Sequence, residues 1–312
     1  MTTSTDISRR FWNQPQKAGE EFAREQTFID DIIQKAHIER LLLENIADIK
    51  TVFDGGAGCG RFSILLAKHG LHVTHFDISE GMIEQAKALA QKEGVVENMT
   101  FVCGALEDLS AFGDNQFDMA MSFDAPISYT YPNQEAVIGN LARIASKQLV
   151  VSVYSRLGWV YQFDPAQKVN YILDPKTRNP FARWQLTHAV RQRKEHKPDM
   201  AAVREFFRTG LMEALEETAA DYDKGGAPWP VSYTFLPEEL VSILERAGAE
   251  QIRLAGPGAL SRSIPGEVLG NIMRDERLKR EFLDVCYWYD SQPACAGMGK
   301  DNLVAIVRLR KE

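Results

Sequence analysis

Between residues 52 and 61 the chain reads Val-Phe-Asp-Gly-Gly-Ala-Gly-Cys-Gly-Arg, the segment whose residue types and spacing speak most directly of chemistry. It lies where an apolar, β-branched run gives way to a helical pattern, the place where open α/β folds bind ligands. Glycines there let the backbone approach a ligand closely. A dinucleotide fingerprint needs G-x-G-x-x-G, and counting from Gly56 and Gly58 its third glycine falls on Arg61. A P-loop needs G-x-x-x-x-G-K-[ST]. Gly55 and Gly60 have that separation, but Arg61 and Phe62 stand where Lys and Ser or Thr must be. The hydroxyl that would hold magnesium is absent, so both phosphate-binding readings fail.

What remains is D-x-G-x-G-x-G, with Asp54, Gly56, Gly58 and Gly60 in its four positions, and an acid 23 residues beyond Asp54, at Asp77. A carboxylate there, at the end of the second strand, is placed to accept both hydroxyls of a ribose. The alternative is an acid at a helix N-terminus, stabilised by the dipole. Together these residues resemble the nucleotide-binding motif of class I S-adenosylmethionine-dependent methyltransferases of the small-molecule type. The resemblance implies S-adenosyl-L-methionine as cofactor, with the glycines against its amino-acid end and Asp77 on its ribose. It also implies that Ile78 packs on the adenine and that Phe123 forms part of the cofactor wall. The segment Phe101–Leu109 is similar to the stretch after the third strand in that family, with Leu106 offering backbone contact to adenine. Ala105 occupies the slot where the family commonly has Asp, so Glu107 or Asp108 is expected to stand in for it. The resemblance covers about residues 40–155 well and 235–310 loosely, and it does not reach 156–233.

Residues 116–129 look like the fourth strand and the loop at the methyl-transfer centre. They lack the Asn/Asp-Pro-Pro-Tyr set of enzymes that methylate nucleobase or amide nitrogens, and Asp124-Ala125-Pro126-Ile127 is closer to the small-molecule enzymes. The resemblance therefore implies methyl transfer to O or N of a small molecule or a peptide end. Candidates for a general base, should the acceptor have to lose a proton, are His188, Asp124 and Tyr129. Tyr129, Arg183 and Trp184 are the candidate substrate contacts. A second reading is a catalytically inactive scaffold that senses the cofactor or serves as a partner subunit, but such scaffolds usually lose the glycines or ribose acid that are intact here. Residues 168–208 hold ten Lys/Arg against four Asp/Glu inside a chain of net charge −7. That stretch is either a solvated face or a lid that draws in an anionic substrate.

The elements that must position these residues alternate. The first 50 residues read as helix, with Phe22, Ile29, Ile32, Ile33, Ile38, Leu41 and Leu42 at roughly helical spacing. They resemble a mobile N-terminal cover, with Phe11, Trp12 and Phe22 over the cofactor. From residue 51 short β-branched runs alternate with amphipathic helices through 155, which implies a parallel sheet covered on both faces. The rhythm breaks over 156–234, where Val203, Phe206, Phe207, Leu211 and Leu215 share one helical face, and it resumes at Pro237. The expected fold is α/β, Rossmann-like and doubly wound, with a mostly parallel seven-stranded sheet, a helical N-terminal cover and a large helical insertion after strand five. The expected divisions are a cover at 1–50, a core at 51–155 and 235–312, and an inserted lid at 156–234.

The bulk properties set the outer limits. The chain has 312 residues, 45% hydrophobic and 25% charged, enough to bury a core without staples. The net charge argues against nucleic acid as a partner. No apolar run approaches the ~18 residues of a membrane span, and Met1–Arg10 has no apolar signal core, which makes the cytoplasm the expected address. Cys59, Cys103, Cys286 and Cys295 are too few and too irregular for a disulfide framework or a zinc site. His69, His72 and His75 suggest no metal site, because His72 and His75 leave opposite faces of one strand. Tyr287-Trp288-Tyr289 reads as core packing or a pocket wall.

Overall fold

A computed structural model describes residues 4–159, 197–212, 230–299 and 302–310. The N-terminal helical stretch is three helices: α1 (Ser4–Trp12), α2 (Lys17–Thr27) and α3 (Ile29–Glu44). Then β1 (Thr51–Gly55), α4 (Arg61–Lys68), β2 (His72–Asp77), α5 (Glu80–Lys92), β3 (Met99–Cys103), β4 (Phe117–Ser122), α6 (Gln134–Ile144) and β5 (Ala145–Tyr154) follow in the expected alternation. After the insertion come α7 (Met200–Thr209), α8 (Pro237–Arg246), β6 (Ala249–Ala255), α9 (Gly266–Arg274), α10 (Glu276–Asp290) and β7 (Asn302–Leu309).

The strands form one seven-stranded sheet in the order β3-β2-β1-β4-β5-β7-β6. Strands β1 to β5 pair in parallel, and β7 runs antiparallel between β5 and β6. Burial on both faces explains why the strands read as nearly continuous apolar runs. Successive residues serve opposite layers: Phe53, Ala120, Leu149 and Val151 pack with Val137, Leu141 and Leu240 of α6 and α8. Val52, Met119, Met121 and Val150 pack with Leu41, Leu42, Phe62 and Leu66 of α3 and α4. The strand order reverses direction beside β1, so the β1, β2 and β4 ends open the crevice that such folds use for ligands.

Two sequence expectations need correction. The amphipathic helix of the insertion does not run on to Leu211 and Leu215. It stops at Thr209 because Gly210 turns left-handed (φ 75°) and returns its N–H to Phe206 O. Leu211 instead bridges to Tyr233, and Leu215 lies outside the described residues. In the 287–289 cluster Tyr287 packs on His37 and donates to Glu44, but Trp288 is 66% exposed and is no part of the core.

The described ends of the insertion are fastened to the core. Arg156 is buried and donates through Nη2 to Thr234 O at 2.8 Å and Glu239 Oε2 at 2.9 Å. Phe206 is fully buried with Trp159 and Met212. Phe206→Ala is expected to cost about 3–5 kcal/mol, read as a lowered midpoint in urea unfolding. A change below about 1 kcal/mol would mean that α7 contributes little to holding this part of the chain on the sheet.

Candidate active site

Strand β1 ends in Gly55, and the chain turns back on itself through Gly56 (φ 71°) and Gly58 (φ 54°), both left-handed. Gly56 N and Ala57 N donate to Phe76 O at 2.8 and 3.1 Å, which pins the loop to the end of β2. A Cβ on Gly56 would stand 2.4 Å from Pro126 Cβ and Cγ, whereas one on Gly58 would meet nothing within 4 Å. The loop thus touches the β4 end on one side and borders open space on the other. That space is a cavity lined by Asp54, Gly56, Gly58, Asp77, Ile78, Leu106, Glu107, Phe123, Asp124 and Tyr129 among others. Phe11 and Phe22 of the expected cover and Asp108 are absent from that lining, as is Gly60. Left-handed at φ 83°, it starts α4 beside Ala86.

The acids have distinct environments. Asp77 accepts from Gly58 N and Ser79 N, both at 2.8 Å, and burial pushes its carboxyl up to about 6. The two readings of Asp77 are therefore compatible: one residue ties the glycine loop to the start of α5 and also faces the cavity. Ser79 caps α5 by accepting from Met82 N at 3.3 Å. Asp54 is buried and accepts from Ser63 Oγ at 2.6 Å; burial pushes it up to about 7. Ser63 Oγ in turn lies 3.1 Å from His75 Nδ1. With Asp54 ionised the serine donates to it, and its oxygen is then free to accept from His75. Burial lowers His75 to about 4, so the ring is neutral and the Ser63–His75 pair holds Asp54 in place. His72, by contrast, is exposed on the other side of the strand.

Glu107 lines the cavity and accepts from Thr5 Oγ1 of α1 at 2.8 Å. Asp108 is exposed and closes a turn with Ser110, so of the two acids only Glu107 is at the site. The N-terminal helices close over the cavity with Ser8, Trp12, Glu21 and Arg24 in its wall. Ser79 Oγ donates to Trp12 O at 2.9 Å and Glu80 N to Asn13 Oδ1 at 3.1 Å, which fastens the end of α1 to α5.

At the β4 end two consecutive non-glycine residues, Asp124 (φ 63°) and Ala125 (φ 62°), adopt left-handed backbone, a strained arrangement typical of functional loops. The bend aims the Asp124 carboxylate at two guanidinium groups, Arg24 Nη2 at 3.2 Å and Arg61 Nη1 at 3.4 Å. Arg24 also pairs with Glu21 at 3.2 Å. Tyr129 shares a short hydrogen bond with Tyr154 and meets Trp12 edge-on, ring centroids 5.6 Å apart. Burial and the Tyr154 hydroxyl push the Tyr129 phenol well above its ordinary value, so it keeps its proton and is no base at neutral pH.

His188, Arg183 and Trp184 lie outside the described residues, as does most of the basic stretch. Sequence reasoning missed Glu21, Arg24, Arg61 and Tyr154. Glu21 and Arg24 carry a three-residue spacing that reads as an ordinary surface ion pair. Among the described residues no group of three His, Cys, Asp or Glu is arranged to hold a metal, and no helix is long and apolar enough to cross a membrane.

Residues 52–148 match the family described as the methyltransferase domain. Over 103 residues the chain is 34% identical to the chloroplastic magnesium protoporphyrin IX methyltransferase of Arabidopsis thaliana, covering 33% of this chain and 32% of that protein. It is 28% identical over 181 residues to a sterol 24-C-methyltransferase of Gibberella zeae, covering 57% of this chain and 43% of that one. The chain thus spans less than half the length of either relative. Among solved structures, a methyltransferase of Haloferax volcanii in complex with the Trm112 activator superposes with TM-score 0.52 at 13% identity, over 97% of this chain and 98% of that one. Haemonchus contortus phosphoethanolamine N-methyltransferase 2, with S-adenosyl-L-methionine, superposes with TM-score 0.52 at 15% identity, over 97% and 60%. At such identities the likeness is one of fold.

Proposed function

We propose that this chain, whose residues 52–148 form a methyltransferase domain, binds S-adenosylmethionine in the cavity at the β1–β2–β4 edge and methylates O or N of a small molecule or peptide end. The observation that carries the reading is Asp77, which lines the cavity while its carboxylate holds the glycine loop at Gly58. That juxtaposition puts an acid able to accept from ribose hydroxyls and an open backbone edge on one wall. The residues fit such a group in further ways. Ile78, Leu106 and Gly104 supply an apolar slot for a base, and Glu107 supplies an acceptor where Ala105 has none. Asp54, oriented by Ser63 and His75, suits an ammonium group.

When bound, the cofactor supplies a methyl group already activated on a sulfonium, so alignment and exclusion of water are what the protein must add. Trp12, Phe123, Tyr129 and Tyr154 give apolar walls near the β4 end, and α1 and α2 cover the cavity. Of the expected lid at 156–234, residues 160–196 and 213–229 lie outside the described residues.

Asp54 and Asp77, pushed up to about 7 and about 6, are partly protonated near neutrality in the free protein. A ligand with a net positive charge favours their ionised forms. Cofactor affinity should therefore rise as pH is raised from about 5.5 through 7 and level off above that, with protons released on binding. Calorimetric titrations across that range check this, and Asp54→Asn should flatten the upper part of the rise. Affinity independent of pH would remove both acids from the assignment.

Transfer of radiolabelled methyl from S-adenosylmethionine to a panel of metabolites tests the activity itself. Label should appear in at least one acceptor as S-adenosylhomocysteine accumulates. Tight cofactor binding with no acceptor labelled would favour the scaffold reading instead.

A further inference from the structure

The acceptor side of the cavity, beyond Asp54 and the glycine loop, is walled by Trp12, Glu21, Arg24, Arg61, Asp124, Tyr129 and Tyr154. Its two guanidinium groups are already engaged. Arg24 Nη2 stands between Glu21 and Asp124, 3.2 Å from each, with its Nε 3.7 Å from Asp31, and Arg61 rests on Asp124. An anionic acceptor would have to take one of these cations away from a carboxylate and then sit beside the carboxylate it displaced. A cationic acceptor at Glu21 shares that carboxylate with Arg24, which keeps Asp124 as its second partner. Carboxylates accept several hydrogen bonds at once, and the electron-rich ring faces of Trp and Tyr attract cations. Over the whole cavity the described lining carries five carboxyl groups, Glu21, Asp54, Asp77, Glu107 and Asp124, against Arg24 and Arg61. Glu21 keeps 27% of its side chain exposed although it lies under the cover, because it faces this space.

We propose that the acceptor is an amine, held as its ammonium between Glu21 and the rings of Trp12, Tyr129 and Tyr154, and that Glu21 takes the proton that frees its nitrogen. The proposal rests on the cofactor reading above. An ammonium nitrogen has no lone pair to give, so an amine bound at neutral pH needs a base before it can be methylated. The N–H proton passes to the Glu21 carboxylate. The freed pair on nitrogen forms the bond to the methyl carbon as the carbon–sulfur pair leaves with sulfur, and Glu21 returns its proton to water when the product departs. Glu21 is suited to the task because burial raises its carboxyl above the ordinary value, an effect strengthened by Asp124 and Asp31 and opposed by Arg24 and Arg61. Tyr129 faces the same space but holds its proton, and with Tyr154 it positions the acceptor rather than deprotonating it.

The test uses the full chain saturated with S-adenosylhomocysteine and three probes on one aromatic frame: phenethylamine, phenylacetate and p-cresol. Calorimetric titration at pH 8 should show phenethylamine binding at least about tenfold more tightly than the other two. Its affinity should fall as pH is lowered and Glu21 becomes protonated. Glu21→Gln should weaken phenethylamine by about tenfold or more and abolish that pH dependence, while S-adenosylhomocysteine affinity stays within about twofold, which also shows that the variant is folded. Preference for phenylacetate or p-cresol, absence of amine binding, or an unchanged pH profile in Glu21→Gln each overturns the proposal. Failure of S-adenosylhomocysteine to bind the wild type is a separate result that removes the cofactor reading beneath it.

Discussion

Gly56→Ala should abolish saturable S-adenosylmethionine binding, with an affinity loss of about 100-fold or more. The new Cβ would lie 2.4 Å from Pro126, at a residue whose φ is 71°, so the loop after β1 and the loop after β4 must move apart. Overpacking and left-handed strain together should lower stability by about 2–4 kcal/mol. Gly58→Ala is the informative comparison. It carries the left-handed penalty of about 1–2 kcal/mol but adds its methyl to space free of protein atoms within 4 Å. If the open space beside Gly58 is where a ligand sits, Gly58→Ala should weaken binding far more than it lowers the melting temperature. Equal, small effects for both glycines would mean that the loop is merely a turn.

Asp77→Ala should weaken S-adenosylmethionine by about 1.5–3 kcal/mol, a loss of one to two orders of magnitude, because charge-assisted hydrogen bonds to the ribose are removed. The same substitution strips the acceptor from Gly58 N and Ser79 N, which adds a stability cost of about 1–3 kcal/mol. The two effects separate in Asp77→Asn, whose remaining oxygen can keep one backbone donor while the charge is lost. A smaller loss of melting temperature than in Asp77→Ala, with cofactor binding weakened to a similar degree, is the expected pattern for Asn. Full affinity in a folded Asp77→Ala protein would leave Asp77 as a structural tie alone. NADH, whose fingerprint spacing fails at Arg61, should show no saturable binding to any of these proteins.

The parts of this site that were legible in the sequence are those set by short-range geometry. The glycine loop and Asp77 follow from spacing along one strand-turn-helix unit, and the apolar runs of β1, β4 and β7 announce a sheet covered on both faces. The acceptor wall is different in kind. Arg24 and Asp124 are 100 residues apart and meet because α2 folds back over the β4 end. Nothing local distinguishes Glu21 and Arg24 from a solvated i, i+3 pair. The Ser63–His75 pair behind Asp54 was equally hidden, since it depends on α4 packing against β2. The overlong reading of α7 had a local remedy: Gly210, just past Thr209, is a helix stop, and the apolar spacing of Leu211 and Leu215 masked it.

The central claim is that one cavity, between the glycine loop and the N-terminal helices, holds the cofactor with its reactive end toward Trp12, Glu21 and Tyr129. A crystal structure of the full chain with S-adenosylhomocysteine tests it most directly. The predicted result has the ribose hydroxyls on Asp77, the adenine beside Ile78 and Leu106, the amino-acid end at Asp54 and the Gly56–Gly58 backbone, and sulfur facing the acceptor wall. Nucleoside density elsewhere on the protein, or a ribose out of reach of Asp77, would contradict it.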